Sequence, residues 1–477
     1  MRLAEIAAAT GGVVRPAGRA PDADPALVLV DGPVVTDSRL SGPGGLYVAR
    51  QGENADGHDF VPDAAAHGAL AVLSSHPVPD LPSVVVDDVG PAFGLLAREV
   101  IARADGMSVV AVTGSSGKTS TKDLLAQVLS RLGPTVSAEG SYNSEVGVPL
   151  TVVRVDPATR YLVLEMGARG IGHLRYLTRM APPDVAVVLN VGSAHLGEFG
   201  SREAVAEAKS ELVQGLAPGG TAVLNADDDA VVAMAGLAPG PVLLVGRSEQ
   251  AAVRAEDVRL DRKARPSFRL VSSVPGAEGQ AEVSLRLHGE HHVANALAAA
   301  AVALHLGLPL EQTAEALSSA AAGSRWRMEV LDRADGVTVV NDAYNANPES
   351  MRAALEALAR MARGRRSWAV LGEMLELGPE SEQEHAQLAR TAADLGVSRL
   401  VVVGEGARPA YAEALERTGW AAPPLLVPDI DAAYELLQAE LARGDVVLLK
   451  SSRDSGLRVL GDRLREVPLP GPGVGGA

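Results

Sequence analysis

The stretch Val109–Leu129, VVAVTGSSGKTSTKDLLAQVL, joins an apolar run, a glycine-rich turn and an amphipathic segment without a spare residue between them. The run is strand-length, and Leu124, Leu125, Val128, Leu129 and Leu132 recur at helical spacing after the turn. A strand that delivers a glycine turn to the start of a helix is the context a phosphate-binding loop requires. Glycine lets backbone N–H groups point inward, and the helix N-terminus adds partial positive charge. Lys118 supplies a full cation, and Thr119 a hydroxyl able to ligate Mg²⁺. The glycine spacing is shorter than the usual G-x-x-x-x-G-K-[ST], because its first glycine would fall on Val112; here Gly114 opens a G-x-x-G-K-T turn.

The surrounding texture extends this unit. SVVAVTG, YLVLEMG, VAVVLNVG, TAVLNAD and PVLLVG are continuous apolar runs, as expected of parallel strands buried on both faces. Helices are expected at 119–132 and 202–216, a hairpin around FRLVSS and AEVSLRLHG, and a helix from HHVANAL to Gly307. Before this block, residues 1–104 carry short runs (ALVLV, GLYVA, LAVLS, SVVVDD) and end in a helical pattern, AFGLLAREVIARA. After it, GVTVVNDAY, SWAVLGE, RLVVVGE and DVVLLKS read as another strand–helix series. The expectation is an α/β protein of three domains: 1–104, a central phosphate-loop domain at 105–325 with a mainly parallel sheet, and a Rossmann-like domain at 326–466. A flexible tail is expected at 467–477. A chain of 477 residues exceeds what one core supports.

Composition removes several classes. There is no cysteine, so disulfides and thiolate metal sites are excluded, which fits a reducing compartment such as the cytoplasm. No apolar run approaches the ~20 residues of a membrane span, so no stable membrane insertion is expected. A net charge of −16 argues against nucleic acid as a main partner.

Open α/β sheets bind ligands at the C-terminal ends of their strands. YLVLE ends in Glu165 there, a candidate Mg²⁺ ligand or an ion-pair partner, and VAVVLNVGSAH leads to His195. Lys209 is one of five lysines, with Lys118, Lys122, Lys263 and Lys450, in a chain that otherwise uses arginine. It sits on helix EAVAEAKSELV, capped by Ser201, on the flank of the stripe Val205, Ala208, Leu212 and Leu216. An ammonium there must snorkel, pair or lose its charge. Lys122 and Lys263 show no evident reason to resist arginine.

Taken together, TGSSGKTS, EMGARGIGHL, NVGSAHLGEFGS, AVAEAKSEL, HGEHHVANALAAAAVA, NDAYNANPESM and LGEMLELG resemble the Mur ligases, in the same order along nearly the whole chain. DAYNANP makes the MurF type the most similar, whereas TDSR and GLYVARQGENADGHDF resemble a uridine-nucleotide region shared with the MurE type. The resemblance implies an ATP-dependent, ADP-forming ligase that joins UDP-N-acetylmuramoyl-tripeptide to D-alanyl-D-alanine through an acyl phosphate, as a cytoplasmic monomer. It implies that Thr113, Gly114, Ser115, Ser116, Gly117, Lys118, Thr119 and Ser120 cradle ATP. Asn295 would contact adenine, Asp342 the ribose, and Asn345 the cleft. It implies two Mg²⁺ ions held by Thr119, Glu165, His195 and a Lys209 carbamylated by CO₂, since a carbamate can ligate a cation that an ammonium repels. Arg327 would reach the γ-phosphate, with Arg325 the alternative. Ser38, Arg39, Asn143, Asn347 and Lys450 would face substrate; Ser144 and Ser451 stand where the family has asparagine and glycine. His288, His291, His292 and His385 are read as structural or rim residues. A hinge is expected near 323–327. The readings that remain against this one are a MurE-type sister ligase, a small-molecule kinase and a nucleotide switch without chemistry.

Overall fold

A computed structural model describes residues 1–18, 24–52, 54–192 and 196–465; the expected tail and His195 lie outside the described residues. The chain forms three sheets in sequence. The first contains β1 (Val13–Arg15), β2 (Val34–Val35), β3 (Gly45–Val48), β4 (Ala69–Ser74) and β5 (Ser83–Val85) in the order β1-β5-β4-β3-β2. The second contains β6 (Ser108–Thr113), β7 (Thr135–Ser137), β8 (Tyr161–Glu165), β9 (Val185–Val188), β10 (Thr221–Asn225), β11 (Val242–Gly246), β12 (Val253–Leu260), β13 (Pro266–Ser272) and β14 (Gly279–Ser284). Its order is β14-β13-β12-β11-β10-β9-β6-β8-β7. The third contains β15 (Glu329–Asp332), β16 (Thr338–Asn341), β17 (Ser367–Leu371), β18 (Arg399–Val403), β19 (Leu425–Val427) and β20 (Val446–Lys450), ordered β15-β16-β20-β17-β18-β19.

Burial explains the apolar runs. β6 is central, parallel to both β8 and β9. Val110 and Val112 face one core, shared with helices Lys118–Leu129 and His292–His305, while Val109 and Ala111 face another, shared with helices His173–Met180 and Arg202–Gln214. A strand covered on both faces needs no polar alternation. The late hairpin is β13–β14, antiparallel as expected, and it extends β12, which pairs parallel to β11.

Three expectations are corrected. ALVLV is not a strand: Pro25–Leu27 form a single 3₁₀ turn and Leu29 makes an isolated bridge to Arg2, because proline and the Asp24 cap favour a turn. The edge strands β1, β2, β7, β15 and β19 and the interior strand β12 are missing from the expected set, being short or charged. Lys122 has a reason to be a lysine, whereas the exposed ion pair of Lys263 gives it none. Lys122 is 2% exposed and donates to the carbonyls of Ala138 (2.7 Å) and Gly140 (3.2 Å), and Lys263 pairs with Asp332 beside the third sheet (2.7 Å).

Candidate active site

The glycine turn follows β6 directly. Val112, where the longer motif would have glycine, is fully buried inside that strand, so the shorter turn needs no glycine there. Gly117 is the N-cap of helix Lys118–Leu129 with φ +80, and a Cβ there would lie 2.5 Å from Asn295 Oδ1. The adenine candidate therefore presses on the turn itself. Thr113 is buried at the strand end, Gly114 packs on Leu189, and the Lys118 ammonium donates back to the Gly114 carbonyl at 2.6 Å. Burial lowers the Lys118 pKa; Glu165 opposes that shift and Arg327 reinforces it.

Glu165, at the end of β8, accepts from the Thr119 hydroxyl at 2.6 Å and from Asn143 Nδ2 at 2.7 Å. Ser141 Oγ lies 3.0 Å from Thr119 Oγ1 and accepts from Arg327 at 2.8 Å. One chain of contacts thus runs from the phosphate-loop helix to the start of the third domain. Arg327 also stacks on Tyr344, its guanidinium 4.3 Å from the ring centre. Arg325 turns away to Asp462 at 2.7 Å, so the two arginines separate: 327 lines the cleft and 325 does not.

From the third domain, Asp342 sits just beyond β16. Its Oδ2 accepts from Lys450 at 2.6 Å and its Oδ1 from the Met328 N–H at 2.9 Å. Lys450 also donates to the Asn345 carbonyl at 3.1 Å, so it is a buried strut and not a free cation. Asn347 caps helix Pro348–Met361 and donates to the Ser115 carbonyl at 3.2 Å.

These groups surround one cleft of about 1930 Å³. Ser115, Ser116, Gly117, Lys118, Thr119, Ser120, Asn143, Glu165, Asn295, Arg327, Asp342, Asn345, Asn347 and Lys450 all line it. Ser38 and Arg39 do not: Ser38 is buried in the first domain and Arg39 is exposed and paired with Asp37. Lys209 is not among the lining residues; it is 5% exposed, on a helix capped by Ser201 as expected. No hydrogen bond or ion pair to Lys209 occurs among the described residues. Its pKa is driven well below the ordinary lysine value by burial first and then by the Lys118 charge.

Several lining residues were not anticipated. Ser141 and Asn190 stand in loops beyond β7 and β9, and Tyr344 lies under Arg327; His291, read as a structural or rim residue, also lines the cleft and has a buried Nδ1 with no partner. Burial depresses the His291 pKa to about 4. Only their position after strand ends could have flagged Ser141 and Asn190.

Comparison with known proteins agrees with the three sheets. Residues 33–90 match the Mur ligase catalytic domain, 112–303 the Mur ligase middle domain, and 326–453 the Mur ligase glutamate ligase domain. The UDP-N-acetylmuramoyl-tripeptide–D-alanyl-D-alanine ligase of Mycobacterium tuberculosis is 47% identical over 97% of both chains; that of Escherichia coli is 38% identical over 78% of this chain and 81% of its own. A crystal structure of MurF from Acinetobacter baumannii superposes with a TM-score of 0.85 at 32% identity, covering 98% of this chain and 99% of that one. MurF from Thermotoga maritima in complex with ADP gives 0.77 at 30% identity, covering 90% and 96%. Similarity of this extent, carried through all three sheets and the cleft between them, places the chain in the Mur ligase family, on its MurF branch.

Proposed function

We propose that this protein is an ATP-dependent, ADP-forming ligase that joins UDP-N-acetylmuramoyl-tripeptide to D-alanyl-D-alanine, with domains at 1–104, 105–325 and 326–466. The observation that carries the reading is the division of one cleft between two domains: Lys118, Thr119 and Glu165 from the central one, Arg327, Asp342 and Lys450 from the third. A monomer working in the cytoplasm, where ATP is supplied, goes with this reading.

In the first step a substrate carboxylate oxygen bonds to the γ-phosphorus, the bond to the β-phosphate oxygen breaks, and ADP leaves. Two anions meet, so cations that are in place before reaction lower the barrier. Lys118 and Arg327 take that role, and Gly117 and the first N–H groups of helix Lys118–Leu129 hold the phosphates. In the second step the dipeptide amine attacks the acyl carbon, phosphate departs, and the amine proton is lost. Asn295 and Asp342 hold the adenosine end. In this reading Asn143 orients the acyl group, and Ser38 and Arg39 belong to the uridine end.

Magnesium suits these donors. The Thr119 hydroxyl, the Ser141 hydroxyl and the Glu165 carboxylate converge within hydrogen-bond distances, an all-oxygen set of the kind Mg²⁺ shares with phosphates. Bound there, the ion would neutralise charge on the transferring phosphoryl group. No group of three His, Asp or Glu that could hold a metal occurs among the described residues, so a second ion needs another anionic ligand. A carbamate on Lys209, with His195, supplies one in this reading. Burial pushes the Lys209 pKa well below the ordinary lysine value, which favours the neutral amine that reacts with CO₂, and arginine cannot take its place.

The test is phosphate release from ATP with each substrate alone and with both. Release only with both, and loss in Lys209→Ala with partial recovery by short carboxylates, is expected. Release with D-alanyl-D-alanine omitted and a free amino acid supplied would overturn the reading.

A further inference from the structure

The peptide unit joining Ser115 to Ser116 is held from two sides by two asparagines. On the central side, Asn190 Oδ1 accepts from the Ser116 N–H at 2.9 Å, and Asn190 Nδ2 donates to the Ser116 carbonyl at 3.3 Å. The side-chain amide thereby imitates a neighbouring strand. On the other side, Asn347 Nδ2 donates to the Ser115 carbonyl at 3.2 Å, a contact between residues 232 apart in sequence. Ser115 is further tied down, its N–H donating to the Asn190 carbonyl at 3.2 Å and its Oγ accepting from the Gly192 N–H at 2.8 Å.

A carbonyl and the N–H that follows it belong to one rigid plane. Fixing both fixes which way the plane faces, and so the direction in which the rest of the turn presents its amides to a phosphate. Asn190 follows β9, the strand beside the one that carries the turn, and so belongs to the same domain and is always present. Asn347 arrives only when the third domain packs against the central one. We infer that Asn347 is a positioning residue that completes the phosphate loop on domain closure, so that the loop reaches its reactive arrangement only when the third domain is seated.

The same side chain caps its own helix: Oδ1 accepts from the Ser350 N–H at 2.9 Å, and Ser350 Oγ accepts from the Asn347 N–H at 3.1 Å. The two roles use different atoms, the oxygen for the cap and the NH₂ group for the loop, and so can be separated. Asp and Ser are good N-caps, but neither can donate an amide proton to Ser115. This inference rests on the ligase reading above.

The experiment compares Asn347→Asp and Asn347→Ser with wild type and with Ser350→Ala, which weakens the cap and leaves the loop contact alone. Steady-state kinetics on the full protein is expected to show kcat down about 10- to 100-fold in both Asn347 variants with KM for ATP within about threefold, as for a buried carbonyl left without its donor. Ser350→Ala should keep kcat within about threefold while melting earlier. Hydrogen exchange with ADP present should show residues 113–120 exchanging faster in the Asn347 variants and unchanged in Ser350→Ala. Near-wild-type kcat in both Asn347 variants, or an equal loss in Ser350→Ala, overturns the inference. If wild type fails to release phosphate with its two substrates, the ligase reading has failed separately. Exchange then decides the inference alone, and unaltered exchange in Asn347→Asp refutes it.

Discussion

Adding one methyl group at Gly117 tests whether the nucleotide loop and helix His292–His305 are as tightly coupled as the structure has them. Gly117→Ala incurs two separable costs. The first is conformational: φ is +80, and an L-residue in the left-handed region costs roughly 1–2 kcal/mol. The second is steric: the new Cβ would meet Asn295 Oδ1 at 2.5 Å, Asn295 Cγ at 3.3 Å and a Leu189 methyl at 3.4 Å. Asn295 is 4% exposed and lies 3.3 Å from His292 Nδ1, so it cannot step aside into solvent, and overpacking of this kind costs about 1–3 kcal/mol. The sum, about 2–5 kcal/mol, falls on the loop. At 1.4 kcal/mol per decade its midpoint weakens ADP binding several-hundred-fold. Calorimetric titration of ADP measures it. Gly219→Ala is the control: φ there is +81 but nothing lies within 4 Å of a Cβ, so it carries only the backbone cost and leaves ADP affinity unchanged. Asn295→Ala should cost less in the Gly117→Ala background than in wild type, because it also removes the obstacle. ADP affinity within threefold of wild type in Gly117→Ala, or full additivity in that cycle, would refute the coupling.

Lys122→Met should lower kcat about tenfold and melt earlier, because the Ala138 and Gly140 carbonyls lose a buried donor and the loop carrying Ser141 and Asn143 shifts; Lys122→Arg should not rescue it. Lys450→Met leaves the Asp342 carboxylate without its cation and should destabilise by about 3–5 kcal/mol, seen as a lower melting temperature; Lys450→Met with Asp342→Asn should recover part of it. The third expectation concerns acid. Burial lowers the His291 pKa from 6.5 to about 4 and pushes His292 the same way, so between those values the unfolded chain binds more protons than the folded one. Stability is therefore whole above pH 6.5 and is lost as pH falls through 4, by up to about 3 kcal/mol from His291. Melting temperature against pH should fall less steeply in His291→Gln.

What could be read in advance followed the sheets. Lys118, Thr119 and Glu165 were legible because a buried strand announces itself as an apolar run and its C-terminal end is where a ligand sits. Ser141 and Asn190 were not, since a serine or asparagine in a loop has no pattern until the fold brings it to a partner. Lys122 was misjudged for a related reason. Its helix is amphipathic by composition, and nothing local reveals that the Ala138–Gly140 loop passes over that position and turns a polar residue into a buried donor. Ser38 and Arg39 remain a reading by likeness, placed in the first domain and outside the cleft lining.

The ambiguity between Arg325 and Arg327 leads to the hinge. In an extended segment, residues two apart point the same way. Here they diverge because Trp326 and Met328 both adopt left-handed conformations, φ +58 and +49, on either side of Arg327. Non-glycine residues there cost about 1–3 kcal/mol each and persist only where the surroundings hold them. The holders are specific. The Trp326 N–H donates to Glu329 at 3.1 Å, its carbonyl accepts from the Tyr344 N–H at 3.1 Å, its indole N–H donates to Asp462, and the Met328 N–H donates to Asp342. Every one of these partners belongs to the third domain, so Arg327 is a part of that domain even though it precedes β15. Its contact with Ser141 is then a contact between domains, and its charge reaches the phosphate loop only when the domains meet. Under the ligase reading this ordering has a chemical purpose. The acyl phosphate hydrolyses if water reaches it, and a cation that arrives with the closing domain lets phosphoryl transfer proceed only where water is already excluded.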